Sequence, residues 1–190
     1  MPSRNYQLRP MLDPEQLSQA IQQAAEPGKR PPVHLWNPDF SGDIDIRIAA
    51  DGMWYHEGDP IKRLPLRALF ASILKREGDD YFLVTPVEKW RITVERQVFS
   101  LNQMMELEDD GVYYLEFRNE IGEFVRLDAE HPIWFEEYGN QSVPCIEVRD
   151  GLSASLSRSV FYELVNLAQD CEGEMKVFSG GVGCSLGKVY

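Results

Sequence analysis

The chain has 190 residues, 43% hydrophobic and 11% aromatic, enough to build a core, and a formal charge of −12 concentrated after residue 100. Such a field disfavours non-specific binding to nucleic-acid backbones and anionic lipid, and no apolar run is long enough to span a bilayer. Cys145, Cys171 and Cys184 contain no CxxC pair, and the opening MPSRNYQLRP has no apolar leader segment, so a cytoplasmic protein with free thiols is expected.

Asp13-Pro14 reads as a helix cap followed by a first-turn proline, with Leu17, Ala20, Ile21, Ala24 and Ala25 on one face and Pro27-Gly28 as the stop. From Gly42 the period changes to two: Ile44, Ile46 and Ile48 alternate with Asp43, Asp45 and Arg47 up to the turn Asp51-Gly52, and Met53-Trp54-Tyr55 return as a strand. Leu66, Leu69, Phe70, Ile73 and Leu74 have the spacing of an amphipathic helix over about 65–76. Tyr81–Thr85 and Ile92–Val94 read as strands. In the second half, strands are expected over Val112–Phe117, Glu123–Leu127, Ile133–Phe135, Cys145–Val148 and Met175–Phe178, with a helix over about 156–169 carrying Val160, Phe161, Leu164, Val165 and Ala168.

The fold class expected is α+β: two small modules, each a mostly antiparallel sheet with a packed helix. Residues 1–35 form an N-terminal arm and short helix, 36–98 the first module and 99–190 the second. A strand, Asp-Gly turn, helix, strand pattern occurs twice. Aligning the helices without gaps sets Arg67 on Arg158, Phe70 on Phe161, Ile73 on Leu164 and Leu74 on Val165, so repeats of one core motif are an expectation.

The Gly-rich tail Ser179-Gly180-Gly181-Val182-Gly183 lacks the Lys-Ser or Lys-Thr and the following helix of a phosphate loop, and reads as a turn before a short terminal strand. His34, His56 and His131 have no partner at metal-ligand spacing. Neither a metal nor another cofactor is expected. Glu106, Glu108, Asp109 and Asp110 read as a solvated turn that keeps a strand edge soluble.

Trp36-Asn37-Pro38-Asp39-Phe40-Ser41-Gly42-Asp43-Ile44-Asp45-Ile46-Arg47-Ile48 and Tyr81-Phe82-Leu83-Val84-Thr85-Pro86-Val87-Glu88 resemble signature stretches of an uncharacterised bacterial family, domain of unknown function 1285. The resemblance runs from about Trp36 to Leu186. It implies a two-part α+β fold with repeats of a core motif, a cleft between the parts, and a nucleotide-like ligand with a signalling role. This chain departs from the family's tail at Gly183-Cys184, where an aromatic residue is expected.

Three function classes follow. The first is a regulatory module that takes a small anionic, nucleotide-like ligand between its halves. Arg67 and Arg158 sit near helix starts, where a cation opposes the macrodipole unless an anion intervenes, Lys62 and Arg63 lie just upstream, and Trp36 or Trp54 offers a stacking surface. The second is an enzyme using Asp45 and Glu88 as paired carboxylates near Arg47. The third is a structural homodimer formed through a sheet edge at Tyr113, Leu115 and Phe117.

Overall fold

The computed structural model describes residues 15, 17–19 and 30–188. The expected Asp13-Pro14 cap, Ala20, Ile21, Ala24, Ala25 and the Pro27-Gly28 stop therefore lie outside the described residues. The fold is mostly β-sheet with few helices. It divides into two compact units, Met1–Arg47 with Trp54–Thr93, and Ile48–Met53 with Val94–Tyr190.

In the first unit a 3-10 turn, Val33–Leu35, precedes β1 (Phe40–Ile48), β2 (Trp54–His56), β3 (Asp59–Pro60), α1 (Leu64–Ser72), β4 (Leu74–Glu77), β5 (Asp80–Val84) and β6 (Lys89–Val94). These strands form one sheet in the order β3-β2-β1-β6-β5-β4. The period of two in β1 is realised as read, with Ile44, Ile46 and Ile48 buried and Asp43 and Asp45 exposed. Helix α1 docks through Phe70, whose ring stacks on Trp54 at a centroid distance of 6.1 Å.

Helix α1 is shorter than its apolar spacing predicts. The Ile73 carbonyl accepts a bond from Val84 N–H at 3.0 Å and Leu74 pairs with Leu83, so the sheet captures both residues. Leu164 and Val165, by contrast, lie inside α2 (Arg158–Asn166). The gapless match of the two segments thus sets cap and strand residues against helical ones at its last two positions.

The second unit contains β7 (Phe99–Leu101), β8 (Gln103–Asp109), β9 (Val112–Arg118), β10 (Phe124–Arg126), β11 (Ile133–Tyr138), β12 (Gln141–Arg149), β13 (Leu152–Leu156), α2, β14 (Gln169–Cys171), β15 (Glu174–Ser179) and β16 (Val182–Lys188). Its strands form three sheets, β10-β9-β8, β11-β12-β13-β7 and β14-β15-β16, where one was expected. Strand β7 runs parallel to β13, so the sheets are mixed. The acidic run is strand rather than turn: Glu106, Glu108 and Asp109 lie on edge strand β8, and only Asp110-Gly111 turns. Exposed charge on an edge blocks pairing with other chains.

Strand β9 lies between β8 and β10, and Leu115 and Phe117 are fully buried. Leu115 and Phe117 of the expected dimerisation edge are therefore core side chains, and β9 is paired with β8 along its length and with β10 at Glu116, Phe117 and Arg118, while Tyr113 stays exposed. The Gly-rich tail forms the β15–β16 turn. Gly180 has φ +59, and a Cβ there would lie 2.7 Å from the Asp128 Cβ, so backbone and space both require glycine.

Ser157 caps α2, its hydroxyl accepting from Val160 N–H at 3.4 Å. Ser157→Ala is expected to cost about 0.5–1 kcal/mol, at the low end of the range because the bond is long. The check is a lowered urea midpoint at unchanged slope, with Ser157→Asp restoring it.

Candidate ligand-binding site

Helix α1 begins at Leu64 with Pro65 behind it, a position where the missing proline N–H costs nothing. Its N-cap is Arg63, which provides no side-chain bond to the exposed N–H groups, and its first turn holds no acidic residue. Lys62 and Arg63 are both exposed, and among the described residues neither forms an ion pair. Arg63, Pro65, Leu66 and Leu69 line a cavity of about 420 Å3 together with Glu15, Ser18 and Gln19. The Leu66 and Arg67 N–H groups donate to the Arg63 carbonyl and Pro65 has no N–H, so the helix start offers the Leu64 N–H, the Arg63 cation with Lys62 next to it in sequence, and an apolar wall that faces Glu15 across the cavity.

The first unit's other cations are differently placed. Lys75 and Lys89 hold Glu77 at 3.1 and 3.0 Å, and Arg91 pairs with Asp43 at 2.7 Å. The hydrogen bond from Lys89, opposed by burial and reinforced by Lys75, keeps the Glu77 carboxyl below its ordinary range. Arg47 lies over the Tyr55 ring, its guanidinium carbon 4.4 Å from the centroid.

The remaining expected site residues separate. Arg67 is 7% exposed on α1, so it belongs to the packed side of the helix rather than to its open start. Arg158 is exposed as the first residue of α2, and it belongs to the other unit. Trp54 is buried against Phe70 and presents no face for a base. Trp36 is also buried, with its carbonyl accepting from Lys75 Nζ at 3.0 Å. The two tryptophans are therefore corrected from stacking surfaces to core, because each ring is already covered by protein. Glu88 lies in the turn joining β5 to β6, where Thr85 N–H donates to its carbonyl and its own N–H donates to the Thr85 hydroxyl. Asp45 projects from the exposed side of β1.

In the second unit, charged residues that sequence reasoning passed over are buried. Glu116 is 2% exposed and is held by Arg118 and by Arg126 Nε at 3.1 Å, while Arg126 also reaches Asp109 at 2.6 Å. A second cluster joins Gln97, which donates to Glu136 at 2.6 Å and to Tyr138 at 3.1 Å, to Ser153, whose hydroxyl donates to the Gln97 carbonyl. Every polar atom of the Gln97 amide is engaged, so the cluster is a structural pin.

Burial and the Glu136 charge push the neighbouring Cys145 thiol up to about 12, and burial also raises Cys184. Neither is an activated nucleophile. His131 Nδ1 lies 3.0 Å from Asp128 Oδ1. Burial pulls the Asp128 carboxyl upward, but bonds from the His131 backbone and ring and from Glu130 N–H outweigh it and leave it below its ordinary value. Among the described residues no group of histidine, cysteine and carboxylate side chains is arranged to hold a metal ion, and no helix is long and apolar enough to cross a membrane.

Residues 31–97 match the profile of the N-terminal domain of a domain of unknown function, DUF1285, and residues 98–186 that of the DUF1285 C-terminal domain. A crystal structure of a DUF1285 family protein from Silicibacter pomeroyi DSS-3 superposes with a TM-score of 0.79 at 37% identity, covering 91% of this chain and 94% of that one. A second, from Shewanella baltica OS155, gives 0.50 at 27% identity, covering 64% of this chain and 90% of that one. No curated protein matches.

Proposed function

The chain belongs to the DUF1285 family, whose function is unknown, and we propose that it is a cytoplasmic ligand-binding regulatory module that takes a small anionic, nucleotide-like molecule. The observation that carries this reading is the start of α1. Lys62 and Arg63 stand there without carboxylate partners among the described residues, beside an open cavity, on a chain of charge −12. A local positive spot on an acidic surface selects anions by its own field. Phosphate oxygens would meet the two cations and the Leu64 N–H, and the apolar wall of Pro65, Leu66 and Leu69 would take the sugar or base edge.

The test is a thermal-shift panel of AMP, ATP, NAD and cyclic dinucleotides, followed by calorimetric titration of any hit. A ligand at a hundred times its dissociation constant adds about 2.7 kcal/mol of stability. Lys62→Ala/Arg63→Ala is expected to weaken binding about tenfold or more, and rising salt to weaken the wild type, because both side chains are exposed. Arg158→Ala reports separately on the second helix start. A panel without a single stabilising nucleotide would sink the reading; a hit whose affinity ignores the double substitution would sink this site.

A further inference from the structure

The second unit holds a separate, unlike site. Tyr113 and Leu115 of β9, Val177 and Phe178 of β15, Leu167 at the end of α2 and Gln169 of β14 enclose a cavity of about 320 Å3. Its geometry is fixed from beneath. The Ser179 hydroxyl accepts from Leu115 N–H at 2.8 Å and donates to the Leu127 carbonyl at 2.5 Å, and Gly180 N–H donates to the Tyr113 carbonyl at 2.8 Å. These bonds lock the end of β15 across β9, with Leu115 and Val177 as a fully buried floor and Tyr113, Leu167 and Phe178 as an exposed rim.

The antiparallel register sets the charge around this apolar bowl. Tyr113 lies opposite Glu108 and Leu115 opposite Glu106, so both carboxylates share the face of the sheet onto which the cavity opens. The Tyr113 hydroxyl donates to Glu106 at 2.7 Å. Lys176, on the adjoining strand, is matched by Glu174 at 3.0 Å. The cavity itself combines apolar and aromatic walls, a phenol and a carboxamide, and Glu106 and Glu108 stand outside its lining on the same face of the sheet, Glu106 reached by the Tyr113 hydroxyl.

We propose that this cavity binds a small organic cation: an amine carried on an aromatic or branched aliphatic body. The apolar body fills the bowl against Leu115, Leu167, Val177 and Phe178, and the ammonium sits between Glu106 and Glu108. The volume is at the small end of the range for small-molecule sites, about 300–1,000 Å3, which suits one compact ligand. A second copy of the chain is the wrong occupant, since pairing two such faces would bring four carboxylates together in a region that already carries most of the negative charge.

The probe is 2-phenylethylamine, titrated into the full chain by two-dimensional amide NMR beside its neutral isostere 2-phenylethanol and the anion phenylacetate. The amine is expected to shift Tyr113, Leu115, Leu167, Gln169 and Phe178, to bind about fivefold more tightly than the alcohol, as one or two exposed ion pairs allow, and to lose that margin in salt. Phenylacetate should bind more weakly than either. Glu106→Gln/Glu108→Gln, at two exposed positions, should bring amine and alcohol to equal affinity, and Leu167→Arg should abolish amine binding by placing a cation at the rim. Equal affinities in the wild type, a preference that survives the double substitution, shifts confined to other residues, no shifts at all, or self-association through these residues would each overturn the proposal.

Discussion

Phe70→Ala is expected to destabilise the protein by about 3–5 kcal/mol. Phe70 is 3% exposed and stacks on Trp54, itself 1% exposed, with 21° between the rings. Helix α1 has nine residues, too few to persist on propensity, so tertiary packing must hold it. Removing the ring leaves a cavity facing Trp54 and releases the anchor of the helix. Set against a typical domain stability of about 5–15 kcal/mol, the loss is large. Urea unfolding followed by tryptophan fluorescence checks it, and Phe70→Leu should retain much of the stability. A cost below about 1 kcal/mol for the alanine variant would place Phe70 outside the core.

Phe70 was legible because a single face of a single helix decides it. So was β1, where three isoleucines at a period of two face inward and charges face out. Elements that fail in the sequence do so for specific reasons. Strand β8 reads Gln-Met-Met-Glu-Leu-Glu-Asp and is mostly exposed, so it has no apolar face for periodicity to find. Strand β7 is three residues long, and its parallel partner β13 lies more than fifty residues away. The apolar run through Leu74 continues past the end of α1 because Ile73 and Leu74 stay buried when the helix gives way to β4; burial persisted while the period changed.

The candidate sites divide along the same line. Lys62 and Arg63 could be read as cations ahead of a helix, since both the charge and the proline are local signals. Glu15, Ser18 and Gln19, which help line the cavity beside Arg63, are distant in sequence and gave no sign of it. Trp36 and Trp54 could have been surface or core, as an aromatic ring suits either, and only their burial in the fold, with Phe70 against Trp54, decides it. The cavity at Tyr113 was invisible, because it depends on the crossing of β9 and β15 through Ser179, sixty-four residues from Leu115.

The buried ion pair of Glu123 and Arg149 carries the second large prediction. Glu123 follows the turn built on Asn119, whose side-chain oxygen accepts from Ile121 and Glu123 N–H groups at 3.2 and 2.9 Å. Arg149 ends β12 just beyond a register shift, and the turn at Asp150-Gly151 follows it. The guanidinium meets the carboxylate side-on with one edge, Nε to Oε2 at 3.2 Å and Nη2 to Oε1 at 3.0 Å, and its carbon lies 5.6 Å from the Phe99 ring centroid. Glu123 immediately precedes β10 and Arg149 ends β12, strands of different sheets in the second unit, so this bidentate pair ties one sheet to the other. With the two side chains only 8% and 14% exposed, removing one partner strands the other charge away from water. Glu123→Ala is therefore expected to cost about 3–5 kcal/mol, and Arg149→Ala a similar amount with the packing on Phe99 lost as well. Replacing both, as Glu123→Leu/Arg149→Met, should cost clearly less than the sum, since no charge remains to be stranded. Denaturant unfolding of the four proteins closes the cycle. Additive costs would mean that the pair is held apart by solvent and does not join the sheets, and the low exposure of both side chains makes the opposite outcome the expected one.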